Sequence, residues 1–303
     1  SEDVKVVDPR EKAKPEDMNS AKKTAEDASA VVKNMALGFK GVEDTVVEKL
    51  LDAPIYYLTP YLKPVMDQSV NALAASMCEE LNPILAKYPF NSKSHEDATL
   101  EDLNKILKRP EGMFWKLVNN EKVKPLLAQL GDRFSADPSA QNPARPQFLA
   151  FLNRLSQMSS ALYSRDAGQT AGFTFTMKPV PSPDVEHIAL KIDGQNQNTD
   201  STGVGTAEFP WPGDKEGVDL SARFVGGSNF NIAHKPGLWG LWRFVESGDE
   251  IKENEFEWKL TQGKDVVTTT LGHPAAVRFT LDPAKAHVLR PQYFNLSCVS
   301  RAN

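Results

Sequence analysis

At 303 residues the chain has room for two domains of ordinary size, and 40% hydrophobic with 25% charged residues is a globular composition. Its net charge of −5 argues against nucleic acid as the main partner, because neutralising phosphates needs a clustered surplus of Lys and Arg. No stretch approaches the roughly 20 apolar residues that span a bilayer, and no N-terminal segment has the basic start and apolar core of a signal peptide. No membrane contact by these residues themselves is therefore expected.

The chain opens at Ser1 and reads as a piece of a longer protein. In Ser1–Ala30 only Val4, Val6, Val7 and Met18 are sizeable apolar residues, too few to offset ordering entropy, so this segment is expected to be a flexible polar tail or a weakly docked helix. From Val31 the period is helical: Val42, Val46 and Leu50, with Val47 and Leu51, precede a stop at Pro54. Leu62, Met66, Ser69, Leu73, Met77 and Leu81 mark one face of a longer helix expected to end before Pro83. Thr99 and Asp102 have capping-box spacing ahead of Leu100, Leu103, Ile106 and Leu107. Phe114, Leu117 and Val118 begin another short helix. Ser135–Pro146 carries Pro138, Pro143 and Pro146 and is expected to be a loop. Phe148, Phe151, Leu152, Leu155, Met158 and Leu162 predict an amphipathic helix closing near Gly168.

At Gly172 the period switches to alternation. Phe173, Phe175 and Met177 alternate with Thr174, Thr176 and Lys178, as in a half-buried strand. Ile188, Leu190 and Ile192 repeat the pattern and run into Asp193-Gly194, a hairpin-turn dipeptide. Leu220, Ala222 and Phe224 lead to Gly226-Gly227; Phe256, Trp258 and Leu260, then Val266–Leu271 and Ala276–Leu281, complete the candidate strands. The expected fold class is α+β: behind the polar tail 1–30, an all-helical domain over 31–170 and an antiparallel β-sandwich over 171–303, with the boundary near Asp166–Gly172.

Little in this chain carries chemistry. His95, His187, His234, His273 and His287 are scattered, no two at helical ligand spacing, and HExxH and CxxC are absent, so no metal is expected. His95-Glu96-Asp97 reads as a polar loop before the capped helix. There is no phosphate loop, and Gly203-Val204-Gly205 lacks the third glycine of a dinucleotide fingerprint, so no cofactor is expected. No GxSxG elbow exists, and the pairs Glu79-Glu80, Glu101-Asp102 and Asp249-Glu250 read as solvated charge; no catalytic residue is assigned and the protein is not expected to be an enzyme. Cys78 and Cys298 read as two small buried or half-buried thiols, since a disulfide would need an oxidising compartment and close Cα atoms. The aromatic segments 209–213 and 236–244 hold three of the five tryptophans. Trp239 and Trp242 suit a short helix or irregular plug at the open end of a sandwich, and this core role is preferred to an exposed platform for sugar or protein.

The strings FTFTMKPV at 173–180, LKIDGQ at 190–195, FPWPG at 209–213, PGLWGLWRF at 236–244 and FNLSC at 294–298 together resemble the C-terminal region of the IcmF/TssM family of type VI secretion. YPFN at 88–91 and LNRL at 152–155 resemble its helical region. The resemblance implies a periplasmic segment of an inner-membrane protein, a non-catalytic module that binds the outer-membrane lipoprotein TssJ and assembles with TssL and with further TssM copies. Val299 follows Cys298 where family members often carry Pro, and the short tail ending at Asn303 is not expected to enter the outer membrane. No residue is assigned to the TssJ contact. Two other functions stay open: a carbohydrate-binding or glycan-processing β-sandwich using Trp211, Trp239 or Trp242, and the IcmF of a type IVB system.

Overall fold

The helical period is realised from Ser69 onward in the computed structural model, which describes residues 69–140, 143–164, 170–200, 205 and 207–302. The polar segment Ser1–Ala30, the helical face at Val42–Leu51, the residues Leu62 and Met66, and Gly168 lie outside the described residues. Gln68–Asn303 is one compact unit.

Helix α1 (69–85) buries Val70, Ala74, Met77, Leu81 and Ile84 on one face. It continues past Pro83 rather than ending before it. A proline in the last turn removes a single intrahelical bond, and Ala86 N–H still reaches Asn82 O at 3.0 Å. Helix α2 (Leu100–Leu107) starts with the expected capping box: Thr99 Oγ1 accepts from Asp102 N–H at 3.1 Å, and the Asp102 carboxylate accepts from Thr99 N–H at 3.0 Å. Helix α3 (Met113–Val118) buries Phe114, Trp115, Leu117 and Val118. Then comes a hairpin that no alternation announces, β1 (Leu127–Leu130) with β2 (Arg133–Ala136), so the expected loop begins only after Ala136. Asn153 of α4 (Pro146–Leu162) fixes the hairpin by donating to Phe134 O at 2.8 Å and accepting from Phe134 N–H at 2.7 Å.

The β half follows: β3 (Phe173–Pro179), β4 (Val185–Ile192), β5 (Gln195–Asp200), β6 (Ala207–Trp211), β7 (Gly217–Phe224) and β8 (Asn229–Pro236). After helix α5 (Gly240–Glu246) come β9 (Asp249–Lys252), β10 (Glu255–Lys259), β11 (Thr261–Gln262), β12 (Asp265–Val266), β13 (Ala276–Leu281) and helix α6 (Pro283–Leu289). One antiparallel sheet has the order β6-β3-β13-β10-β9 and the other β5-β4-β7-β8. Phe173, Phe175, Met177, Phe209, Val277 and Phe279 of the first face Ile188, Leu190, Val218, Leu220 and Ala222 of the second within one hydrophobic core. The α+β class with an antiparallel sandwich is thus the observed one. The expected strand Val266–Leu271 shrinks to Asp265–Val266, because the chain turns tightly at Thr269, whose N–H donates to His273 O at 2.8 Å. Asp193 (φ 48°) and Gly194 (φ 92°) make the β4–β5 hairpin turn, a backbone region that Asp and Gly tolerate.

The same core runs without a break from Val70 of α1 to Ala302, and its densest part is aromatic. Trp211 lies 4.7 Å from Trp242 and 5.4 Å from Trp239, ring centre to ring centre; Phe294 lies 5.5 Å from Trp239 and 5.7 Å from Phe90 of the helical half. Cys78 and Cys298 are not thiols, contrary to expectation. They form a disulfide with Cα atoms 5.6 Å apart across 220 residues of sequence. The fold brings α1 against the segment after Phe294, a proximity that no local pattern encodes.

Trp239 Nε1 donates to Ala98 O at 2.6 Å inside the aromatic cluster. Trp239→Phe keeps most of the ring volume and strands that carbonyl, so it is expected to lower stability by about 1–3 kcal/mol, read as a lower urea midpoint with an unchanged slope.

Candidate functional site

Strand register gives the sandwich two unlike ends. Phe173 pairs with Trp211 and Ile192 with Val218 at the end that meets the helices. Pro179, Val185 and Phe224 mark the opposite end, which carries the loops 180–184, 225–228 and 267–275.

At the helical end the loop leading to α2 meets α5. The Arg243 guanidinium lies 4.2 Å over the Tyr88 ring and donates two hydrogen bonds to the Asp97 carboxylate. Tyr88 hydroxyl donates to Glu246 at 3.3 Å. Asp97 raises the affinity of Arg243 for its proton, and burial, followed by the Glu246 charge, pushes the Tyr88 phenol up. Around this cluster Ser92, Ser94, His95 and Lys235 line an open cleft of about 510 Å³. The segment His95-Glu96-Asp97 is the expected polar loop, yet Asp97 is drawn into the joint. Only the fold supplies its partner, 146 residues away.

At the loop end Asp184 is the hub. Its carboxylate accepts from Thr269 Oγ1 at 2.7 Å and lies 3.0 Å from His273 Nδ1; its carbonyl accepts from Val225 N–H at 2.9 Å. Thr270 Oγ1 donates to Val225 O at 2.7 Å. Three loops are therefore tied through one buried aspartate. The Thr269 hydroxyl, working against desolvation and helped by His273, holds the Asp184 carboxyl below its ordinary range. Phe230, Val266 and Leu271, three of the five exposed large hydrophobic side chains among the described residues, lie at or beside this end.

The other histidines are dispersed. His187 sits in β4 opposite Asp200 and Arg223, His234 Nδ1 lies 2.6 Å from Asp219, and His287 packs edge-on to Tyr293. Burial, then the nearby cations Lys285, Arg154 and Arg290, lower the His287 pKa. Among the described residues no three His, Cys, Asp or Glu side chains are grouped to hold a metal, and no helix is long and apolar enough to cross a membrane. Glu80 pairs with Lys105, Asp249 with Lys259 and Glu250 with Arg290, while Asp102 is spent on the α2 cap; Glu79 and Glu101 are exposed. Gly203 and Val204 lie outside the described residues, and Gly205 accepts from Gln197 Nε2 at 3.0 Å. Trp211, Trp239 and Trp242 are 0% exposed, which removes the aromatic platform a glycan would need.

Two family models cover most of these elements. Residues 66–168 match the Type VI secretion protein IcmF helical domain, and residues 175–274 match the Type VI secretion protein IcmF C2-like domain. The chain belongs to the IcmF family of type VI secretion proteins. Among curated proteins none matches. Of solved structures, the T6SS protein TssM C-terminal domain from EAEC is 20% identical, with a TM-score of 0.61 over 78% of this chain and 98% of that one. A chain of a type VI secretion system membrane core complex is 21% identical, with a TM-score of 0.62 over 78% of this chain and 48% of that one. A chain of a type VI membrane complex is 23% identical, with a TM-score of 0.59 over 76% of this chain and 45% of that one. These likenesses show the fold, and this chain spans about half the length of the latter two. In IcmF terms the Arg243–Asp97 joint ties the helical domain to α5, which directly precedes β9 of the larger sheet.

Arg243→Lys keeps the charge and loses both the planar fork and the stacking on Tyr88. It is expected to cost about 1 kcal/mol, measured by urea unfolding followed through tryptophan fluorescence. A second expectation concerns Asp193, buried in the β4–β5 turn, whose Oδ1 accepts from Gly217 N–H at 2.9 Å while Oδ2 has no hydrogen-bond partner among the described residues. Burial raises its pKa from 3.8 to about 6 against the hydrogen bond from Gly217. The folded state thus holds this proton more tightly than the unfolded one. Its stabilising contribution is complete below pH 3.8 and is lost as the pH rises through 6. Asp193→Asn keeps the acceptor and tolerates the positive φ, so it is expected to gain about 1–2 kcal/mol at pH 7 and little at pH 4, measured by unfolding at both.

Proposed function

We propose that this chain is a non-catalytic structural and docking module of a type VI secretion membrane complex, the periplasmic part of a TssM protein that binds the outer-membrane lipoprotein TssJ. In this role residues 31–170 serve as the helical module and 171–303 as the β module, with TssL and further copies of the chain as the other partners. Membership of the IcmF family supports the machine. The observation that carries the structural role is the coupling of helices to sandwich by one continuous core and one covalent cross-link. A body held in that way transmits force instead of opening a pocket. The disulfide supports a periplasmic location, since such bonds persist in oxidising compartments.

We assign the lipoprotein contact to the loop end. Asp184 pre-orders three loops there, which lowers the entropy lost on docking, and Phe230 and Leu271 supply exposed apolar anchors. The purified chain is expected to bind the soluble domain of the lipoprotein encoded beside it saturably in a surface-plasmon titration. Leu271→Asp and Phe230→Asp should each weaken that binding at least tenfold; Leu271→Asp should leave the unfolding midpoint unchanged, while Phe230→Asp should lower it slightly through lost packing on Phe224. No binding by the parent chain at high concentration would overturn the docking role, whereas binding equal in all three chains would overturn only the choice of face.

A further inference from the structure

Residues 295–302 form a strap without helix or strand of its own. It leaves the aromatic cluster at Phe294 and returns to the helical half, where it meets α1 and the first turn of α4. Among the described residues its non-covalent anchors are few. Ala302 is buried; its N–H donates to Asn71 Oδ1 at 2.7 Å, and its carbonyl accepts from Arg145 N–H at 2.8 Å. Leu296 and Val299 pack partly against the core, while Asn295, Ser297, Ser300 and Arg301 are exposed. Between these weak points sits the bond from Cys298 to Cys78. Cys78 is buried on α1 and Cys298 is half-buried, so a thiol arriving from solvent meets the Cys298 sulfur first.

We propose that this disulfide is a redox-operated clasp: a dithiol reductant opens it, and the strap lifts from α1 while the two sheets stay folded. The chemistry balances as a two-electron exchange. One thiolate of the reductant attacks Cys298 Sγ, forming a mixed disulfide and releasing Cys78 as a thiolate that takes up a proton. The second thiol of the reductant then displaces Cys298, leaving two protein thiols and one oxidised dithiol. Opening is local because the strap owes its place to the covalent link. Among the described residues the strap's other anchors are two hydrogen bonds at Ala302, its buried methyl and two half-buried side chains, which do not offset the entropy of ordering the rest of the segment. The sandwich has no such dependence, since its strands are paired with one another and not with the strap. Release would break the two hydrogen bonds that Ala302 makes, to Asn71 Oδ1 and from Arg145 N–H. The device goes beyond the docking role and does not rest on which partner the loop end binds.

The full chain, oxidised or reduced with dithiothreitol under native conditions, tests this through amide hydrogen exchange read by mass spectrometry, with alkylation of both thiols verifying reduction. Exchange at the Ala302 and Arg145 amides, the two backbone donors in the contact between strap and helices, is expected to accelerate at least tenfold, while peptides from β3, β4 and β7 keep their rates. Cys78→Ser combined with Cys298→Ser should reproduce the reduced pattern. Three outcomes would overturn the clasp: exchange at those two amides unchanged once both thiols are alkylated, simultaneous acceleration across the sheets, or resistance of the bond to dithiothreitol in the folded protein. Failure of the double variant to fold would also count against it, since that would make the bond a global staple.

Discussion

The arrangement of this protein depends on where five buried indole N–H groups find acceptors. A tryptophan contributes a large apolar area only if its single donor is paired, because an unpaired buried N–H costs as much as a lost hydrogen bond. Trp115 donates to Leu107 O, Trp211 to Leu238 O, Trp239 to Ala98 O, Trp242 to Val288 O and Trp258 to Phe244 O. Each of the five has a main-chain carbonyl as acceptor, and Trp115 also reaches Ser159 Oγ at 3.2 Å. Side chains can change rotamer to suit a neighbour, whereas a carbonyl can be presented only by holding a stretch of backbone in place. The indoles of α5 therefore fix the residue before the α2 cap on one side and the end of α6 on the other. That requirement joins helices to sandwich more strictly than hydrophobic contact alone, which is non-directional.

Local signals in the sequence were sufficient for the elements whose identity is decided locally. The Thr99–Asp102 box, the alternation of β3, β4 and β7 and the Asp193-Gly194 turn each involve residues a few positions apart. The missed strands share a different property. In β5 the inward positions are Gln197 and Thr199, so the buried face is polar and hydropathy shows no alternation. Gln197 recovers part of the cost by donating to Gly205 O and, at 3.5 Å, to Met177 O. Strand β8 is an edge strand with most of its residues exposed or half-exposed, so burial imposes no period on it. The β1–β2 hairpin is held by Asn153 from a helix, an interaction invisible until the helix is in place.

The functional groups were less legible for the same reason at longer range. Asp97 and Arg243 are ordinary charged residues in the sequence, and Asp184 is separated from Thr269 and His273 by most of the β half. Their significance comes from convergence, and convergence follows from strand order. The aromatic segments offered a choice between core and platform, and geometry decides it. With Trp239 and Trp242 packed edge-to-face on Phe294, and Trp211 packed on both indoles and on Phe173, no ring face is left for a ligand.

Polar chemistry at the two ends of the sandwich is used for opposite mechanical purposes. At the helical end Arg243, Asp97, Tyr88 and Glu246 reinforce a junction already set by indoles and a disulfide, so this end resists rotation of one half against the other. At the loop end Asp184 ties loops only to one another, with hydrogen bonds and no covalent link. Such loops are held against fraying yet retain the freedom to adjust side chains to an incoming surface. Stiffness concentrated at one end and adaptable order at the other suit the docking module proposed above, because a compliant joint would absorb displacement that a rigid one passes on. The disulfide has a distinct place in that division. It secures the strap, the least hydrogen-bonded part of the stiff end, so the helical end depends on the oxidation state of one bond while the sandwich depends on strand pairing alone.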